Sequence, residues 1–206
     1  MNSTEKIINK LKLVKDGFKP IRQEAQVYIS SHSQEECLNL AYQLYTSTIY
    51  QARMMATLIM ASFASRDPKV FAFLRNTVSK DPDWRTQEML AMAFNQYCQD
   101  IGYEKAITDI KDWLKDKNHN VRRAVTEGLR IWTHRDYFKQ HPDLAIALLS
   151  SLKNDEHEYV RKSVGNALRD ISRFHKELVA RELSTWDKTD KKITYTYTRA
   201  CKFIKN

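Results

Sequence analysis

Trp84, Glu88 and Met92 recur at a spacing of four residues, so on a helix they share one face. A carboxylate one turn from an indole is pulled two ways. Apolar surface disfavours its charge, whereas a nearby guanidinium favours it. Such a group suits stabilisation of a developing cation or activation of a water. Arg123 falls level with Glu88 once the internal repeats are aligned. The same spacing also fits a Glu88–Arg123 salt bridge with Trp84 in the core, and at the level of spacing both readings stand.

The elements that must position these residues are written into a repeat. Val121-Arg122-Arg123-Ala124-Val125 returns 39 residues later as Val160-Arg161-Lys162-Ser163-Val164. A unit of this period cannot bury its apolar face alone and must stack on its neighbours. The apolar set Met89, Leu90, Ala93, Phe94 and Tyr97 matches Ala124, Val125, Gly128, Leu129 and Trp132 at an offset of 35. A further 39 residues lead to Ser163, Val164, Ala167, Leu168 and Ile171; the set from Met55 to Phe63 lies one step earlier, at an offset of 34. In this register Glu88, Arg123 and Lys162 are equivalent, as are Met92, Glu127 and Asn166, and then Asn95, Arg130 and Arg169. Arg123, Arg130, Lys162 and Arg169 therefore form a basic grid beside the buried stripe, suited to phosphates. A solvated outer face would mix Lys with Glu instead.

Between and around these repeats the pattern is helical throughout. Helices are expected over 3–15, 21–29, 33–45, 49–64, 68–79, 84–99, 103–115, 120–133, 142–153, 158–174 and 176–186. Ser33-Gln34-Glu35-Glu36 reads as a capping box. The tail 191–204 alternates Thr with apolar residues like a strand, but repeat logic favours a last helix. Breaks fall at 65–68, 80–83, 117–120, 134–142 and 154–156, with no flexible linker. The expectation is an all-α fold, an α-solenoid of antiparallel helix pairs forming one domain over 1–206. Trp113 and Trp186 read as packing residues. Trp132 lies on the apolar stripe, yet it leads into Thr133-His134-Arg135-Asp136-Tyr137-Phe138, an aromatic and basic loop suited to nucleic acid.

Charge points the same way. The chain carries +9, and residues 1–103 hold 12 basic and 10 acidic side chains (+2) against 22 and 15 (+7) in 104–206. An excess on one half suggests a polyanion surface there. Four glycines and four prolines leave few turn-formers for a strand-rich fold. Cys37, Cys98 and Cys201 are too far apart for a zinc site or a disulfide framework. His134 and His141 lack metal-ligand spacing, and no phosphate loop, dinucleotide fingerprint or nucleophile elbow occurs. No cofactor and no metal are expected. No apolar run approaches ~20 residues and the first residues lack a leader pattern, so a cytoplasmic protein without a membrane partner is expected.

At Trp84-Arg85-Thr86-Gln87-Glu88, Val121-Arg122-Arg123 and Glu158 to Asp170 the chain resembles the AlkC/AlkD superfamily of HEAT-like-repeat DNA alkylation repair proteins. The resemblance runs across roughly residues 50–205. It implies a HEAT-like solenoid and an alkylpurine DNA glycosylase that acts without cofactor on cationic bases of the 3-methyladenine and 7-methylguanine type. It implies Glu88 as the catalytic carboxylate, Asp170 as a second acid, and Arg123 as the active-site arginine. Trp84 and Trp132 would stack on sugar or backbone, and Arg123, Arg130, Lys162 and Arg169 would hold phosphates. The implied partner is duplex DNA, alkylated or not, bound by a monomer that associates with the nucleoid. Two positions depart from AlkD-type members: Glu88 replaces Asp, and Asn166 stands where a second Trp is found. The superfamily also contains paralogues that bind DNA structures without cleaving, and a protein-binding scaffold is the remaining alternative.

Overall fold

The structure, a computed structural model, describes residues 3–204. Among the described residues it is all-helical, with thirteen α-helices and no strand. The chain divides into two compact units, residues 1–100 and 101–206.

The first unit comprises α1 (Ser3–Lys12), α2 (Lys19–Ser31), α3 (Gln34–Tyr45), α4 (Tyr50–Ala61), α5 (Pro68–Asn76) and α6 (Trp84–Ile101). Helix α4 is its centre. Ala52, Met54, Met55, Ala56, Ile59 and Met60 are all fully buried, and α1, α2, α3 and α5 pack around them. A helix that is apolar on most sides has to be covered this way. The expected capping box is present. Ser33 Oγ accepts the Glu36 N–H at 3.3 Å, and Glu36 Oε2 accepts the Ser33 N–H at 2.8 Å. The α1–α2 connector turns through Gly17 at φ +82, a left-handed conformation that side chains resist. Buried Gln51 holds this connector by donating to the Val14 carbonyl at 3.0 Å.

The second unit comprises α7 (Ile107–Leu114), α8 (His119–Gly128), α9 (Asp136–Gln140), α10 (Pro142–Ser150), α11 (Glu158–Ser172), α12 (Lys176–Ser184) and α13 (Lys191–Ala200). Helix α11 packs against α8, α10, α12 and α13. The α8–α11 seam contains a buried hydroxyl pair, Thr126 Oγ1 to Ser163 Oγ at 2.6 Å. At Gly165 a Cβ would meet Arg199 Cβ at 2.7 Å and the Thr196 carbonyl at 2.9 Å. The missing side chain is what lets α13 close on α11. The tail is thus a helix, as the repeat logic requires, with Asp190 accepting from the Lys192 N–H at 2.6 Å to start it.

Several helices end a turn or less short of the expected bounds, and one departs further. The run predicted to reach residue 133 ends at Gly128, and the chain then forms a 3-10 turn, Trp132–His134, before α9. Burial of Trp132 explains the break. Its indole is fully enclosed, packs 5.0 Å from Phe138, and directs Nε1 at the Thr126 carbonyl at 3.4 Å. Arg135 Nη2 reaches the Gly128 and Arg130 carbonyls left at the helix end, at 3.4 and 3.2 Å.

The turns that open the inner helices share one chemistry. Asp81, Asp116 and Asp155, at offsets of 35 and 39, each accept the N–H two residues on, from Asp83, Asn118 and His157 at 2.9, 2.8 and 2.8 Å. Arg122 clamps two such turns: Nε and Nη2 bind the Asp155 carboxylate at 2.6 and 2.7 Å, while Nη1 donates to the Asp116 and Lys117 carbonyls. Arg53 does the same in the first unit, to Asp81 and the Ser47 and Thr48 carbonyls. Arg161 Nη1 donates to the Asp155 and Glu156 carbonyls. The first arginine of the repeated Val-Arg phrase is therefore a structural staple.

Candidate functional site

The start of α6 is seated from below. Gln87, buried, donates to the Val78 and Asp81 carbonyls at 3.0 and 2.7 Å, and the Asp83 carboxylate accepts the Arg85 N–H at 2.8 Å. Asp81 is itself held by Arg53 and by the Tyr45 hydroxyl at 3.3 Å. Burial, and then the Asp81 charge, push the Tyr45 phenol far above its ordinary range. Its hydroxyl donates to the Asp81 carboxylate. Above that foundation Trp84 stands 58% exposed, with Glu88 half-buried one turn on and Met92 half-buried after it. The expected Trp84–Glu88–Met92 face is thus formed, and Trp84 belongs to the surface.

Trp84 is braced without being covered. The Phe18 ring meets it edge-on at 6.2 Å, and the Arg85 guanidinium lies 4.6 Å from both the Trp84 and Tyr50 rings. A cavity of about 210 Å³ opens beside them, lined by Gly17, Phe18, Tyr50, Trp84 and Arg85 among others. An indole held by a guanidinium and an edge ring has little rotamer freedom to lose on binding, which favours stacking.

In the second unit the basic grid separates into two groups. Arg123, half-buried, and Lys162, exposed, lie 5.9 and 5.7 Å from the Tyr159 ring, itself 58% exposed. Two cations flanking an exposed ring suit a phosphate with a sugar or base beside it. Arg130 and Arg169 are instead paired internally. Arg130 Nε binds Asp170 Oδ2 at 2.7 Å, and Arg169 Nη2 binds Asp170 Oδ1 at 3.0 Å. Arg130 also lies 3.4 Å from Glu127. Burial drives the Asp170 carboxyl up, but hydrogen bonds from Arg130 and Arg169, with their charges, outweigh it and leave it below the usual carboxylate range.

Two expected residues have closed surroundings. Asp170 is buried with both oxygens engaged by arginine. Trp132, wholly enclosed, has no face to offer a sugar or a backbone. Asn166, at the position of the absent aromatic, accepts from Arg169 Nη1 at 3.3 Å and belongs to the same network.

Sequence reasoning passed over Tyr159, Tyr50 and Arg85. Tyr159 sits one residue before the repeated Val-Arg phrase, where an aromatic on a polar face is itself a signal. His119 and His157 also stack, ring centres 3.6 Å apart and 7° from parallel. Burial, then His157 and Arg122, lower the His119 pKa. Among the described residues no group of three or more His, Cys, Asp or Glu side chains is placed to hold a metal ion, and no helix is long and apolar enough to cross a membrane.

Residues 17–202 match the family model described as DNA alkylation repair enzyme. The chain belongs to this family. A crystal structure of AlkD2 from Streptococcus mutans is similar at 45% identity over 98% of each chain, with a TM-score of 0.96. The alkylpurine DNA glycosylase AlkC of Pseudomonas fluorescens, bound to DNA containing an abasic site analog, is similar in fold, with a TM-score of 0.53 at 20% identity over 96% of this chain and 61% of AlkC. The uncharacterized protein YhaZ of Bacillus subtilis (strain 168) is 37% identical over 90 residues, 42% of this chain and 25% of YhaZ. The helical-repeat architecture is thus that of DNA alkylation repair enzymes, and a role in DNA repair follows from membership.

Proposed function

We propose that this DNA alkylation repair family member binds duplex DNA as a monomer and hydrolyses the N-glycosidic bond of cationic alkylpurines. The observation that carries this reading is the pairing of an exposed, braced Trp84 with Glu88 one turn away. An alkylated purine of the 3-methyladenine or 7-methylguanine type already carries positive charge and leaves readily. As the C1′–N bond breaks, its electron pair neutralises the departing base and positive charge grows on the deoxyribose. The Glu88 carboxylate stabilises that charge. Water then bonds to C1′ and gives up a proton to Glu88 or solvent. Trp84 stacks on sugar or backbone, while Arg123 and Lys162 take phosphates beside Tyr159, so affinity falls steeply with salt.

A second reading has a specific observation behind it. With Trp132 enclosed and Asp170 saturated, Glu88 is left as the one candidate acid of the two, which favours a DNA-binding member that does not cleave. Fold alone does not decide chemistry. Base release from methylated duplex, measured for wild type and Glu88→Gln beside equilibrium binding, separates the two. Binding without release by the wild type supports the second reading, and salt-independent weak association with DNA removes both.

A further inference from the structure

The loop that follows Trp132 also lines a chemically varied cavity of the second unit. This space of about 490 Å³ is bounded by Thr133, His134, Asp136, Lys139, Phe174 and His175, within the volume range of small-molecule sites. Phe174 is 60% exposed although aromatic, and His134 supports it edge-on at 4.9 Å. His134 and Lys139 are exposed, and His175 is half-buried. Thr133 is 3% exposed, and its hydroxyl has no hydrogen-bond partner. A buried unpaired hydroxyl is a cost that a bound polar group removes.

His175 is also the N-cap residue of α12, where no side chain caps the first turn. The N–H groups of such a turn favour an anion, with Lys139 and the two imidazoles adding donors nearby. Asp136 in the lining and Glu177 in the first turn of α12 are the opposing charges. A carboxylate at the rim disfavours a bare phosphate but accepts from a sugar hydroxyl or a base amine. The lining is therefore that of a nucleotide: an apolar ring face for the base, an acceptor for its amine or hydroxyl, and donors for its phosphate.

We propose that this cavity is a nucleotide-binding site, separate from the Trp84–Glu88 face and independent of glycosidic chemistry there. The base lies on Phe174, and the phosphate meets Lys139, His175 and the first turn of α12. A free mononucleotide and the 5′-phosphorylated end of a DNA strand offer this chemistry equally.

Calorimetric titration of the full chain with deoxyadenosine 5′-monophosphate, deoxyadenosine and inorganic phosphate tests it, alongside a hairpin DNA with and without a 5′-phosphate. The monophosphate, or the phosphorylated hairpin, is expected to bind at least tenfold tighter than its unphosphorylated counterpart. Phe174→Ala and Lys139→Ala should each weaken that binding at least fivefold. Both side chains are exposed, so unchanged circular dichroism should accompany the loss, and Trp84→Ala should leave mononucleotide affinity intact. Loss confined to the monophosphate identifies a free nucleotide, and loss confined to the hairpin identifies a strand end. Equal affinity with and without phosphate, or no effect of either variant on any probe, overturns the proposal.

Discussion

Two carboxylates drawn from equivalent-looking helices have opposite surroundings. Asp170 on α11 is 7% exposed with both oxygens committed to Arg130 and Arg169. Glu88 on α6 stands half-buried beside an indole that is 58% exposed. The first arrangement is what a fold does with a charge it must bury, since a paired carboxylate avoids a desolvation cost of several kcal/mol. The second keeps a half-buried carboxylate one turn from a ring that is largely exposed. A helical repeat thus spends one acid on holding its arginines and places another at partial exposure. The same division separates neighbours: Arg122 is locked onto Asp155 and two carbonyls, while Arg123 faces the exposed Tyr159 ring.

These contrasts break in predictable order. Arg122→Ala should cost about 3 kcal/mol in urea denaturation, because it strands the buried Asp155 carboxylate and leaves two turn carbonyls without their donor. Its effect on the salt slope of DNA binding should be small; a large change in slope with little loss of stability would reverse the roles of the two arginines. Asp170→Ala should cost about 2 kcal/mol, less because the stranded arginines are partly exposed, and folded protein should retain its base-release rate. A selective loss of rate would return Asp170 to the chemistry.

Trp84→Ala should weaken DNA binding about tenfold, in line with ~1–3 kcal/mol for a stacked base, while moving the unfolding midpoint little. A large stability loss with unchanged affinity would make it a packing residue. The smallest effect is in pH. Because the folded state holds the Asp170 carboxyl below its unfolded value, its contribution is present above about pH 4 and is lost as pH falls through the folded pKa. Asp170→Asn should flatten that acid limb of the stability curve and leave its neutral region parallel to the wild type.

Much of the fold was legible because period and apolarity carry it. The offsets of 34, 35 and 39 placed the inner helices, Ser33 and Glu36 marked a cap, and the repeat outweighed the strand-like Thr alternation of the tail. The break after Gly128 was not legible. It depends on Trp132 turning inward onto Phe138 and on Arg135 capping the freed carbonyls, which are contacts between residues with no fixed spacing. The site was legible as a set of positions and less so as roles. Spacing identifies a grid of Arg and Asp but not which members pair with each other, so Asp170 and Arg130 look as available as Glu88 and Arg123. The structure shows the ion pairs of Asp170 with Arg130 and Arg169, and ring contacts bring out Tyr159, Tyr50 and Arg85.

Glu88 is proposed to act on the deoxyribose at the Trp84 face. Its most direct test is the single-turnover release of 7-methylguanine from methylated duplex DNA by wild type and Glu88→Gln at matched occupancy. Release by the wild type is expected, with a loss of about 100-fold or more in the variant and DNA affinity retained. Absence of release by the wild type, or an undiminished rate in Glu88→Gln, would contradict it.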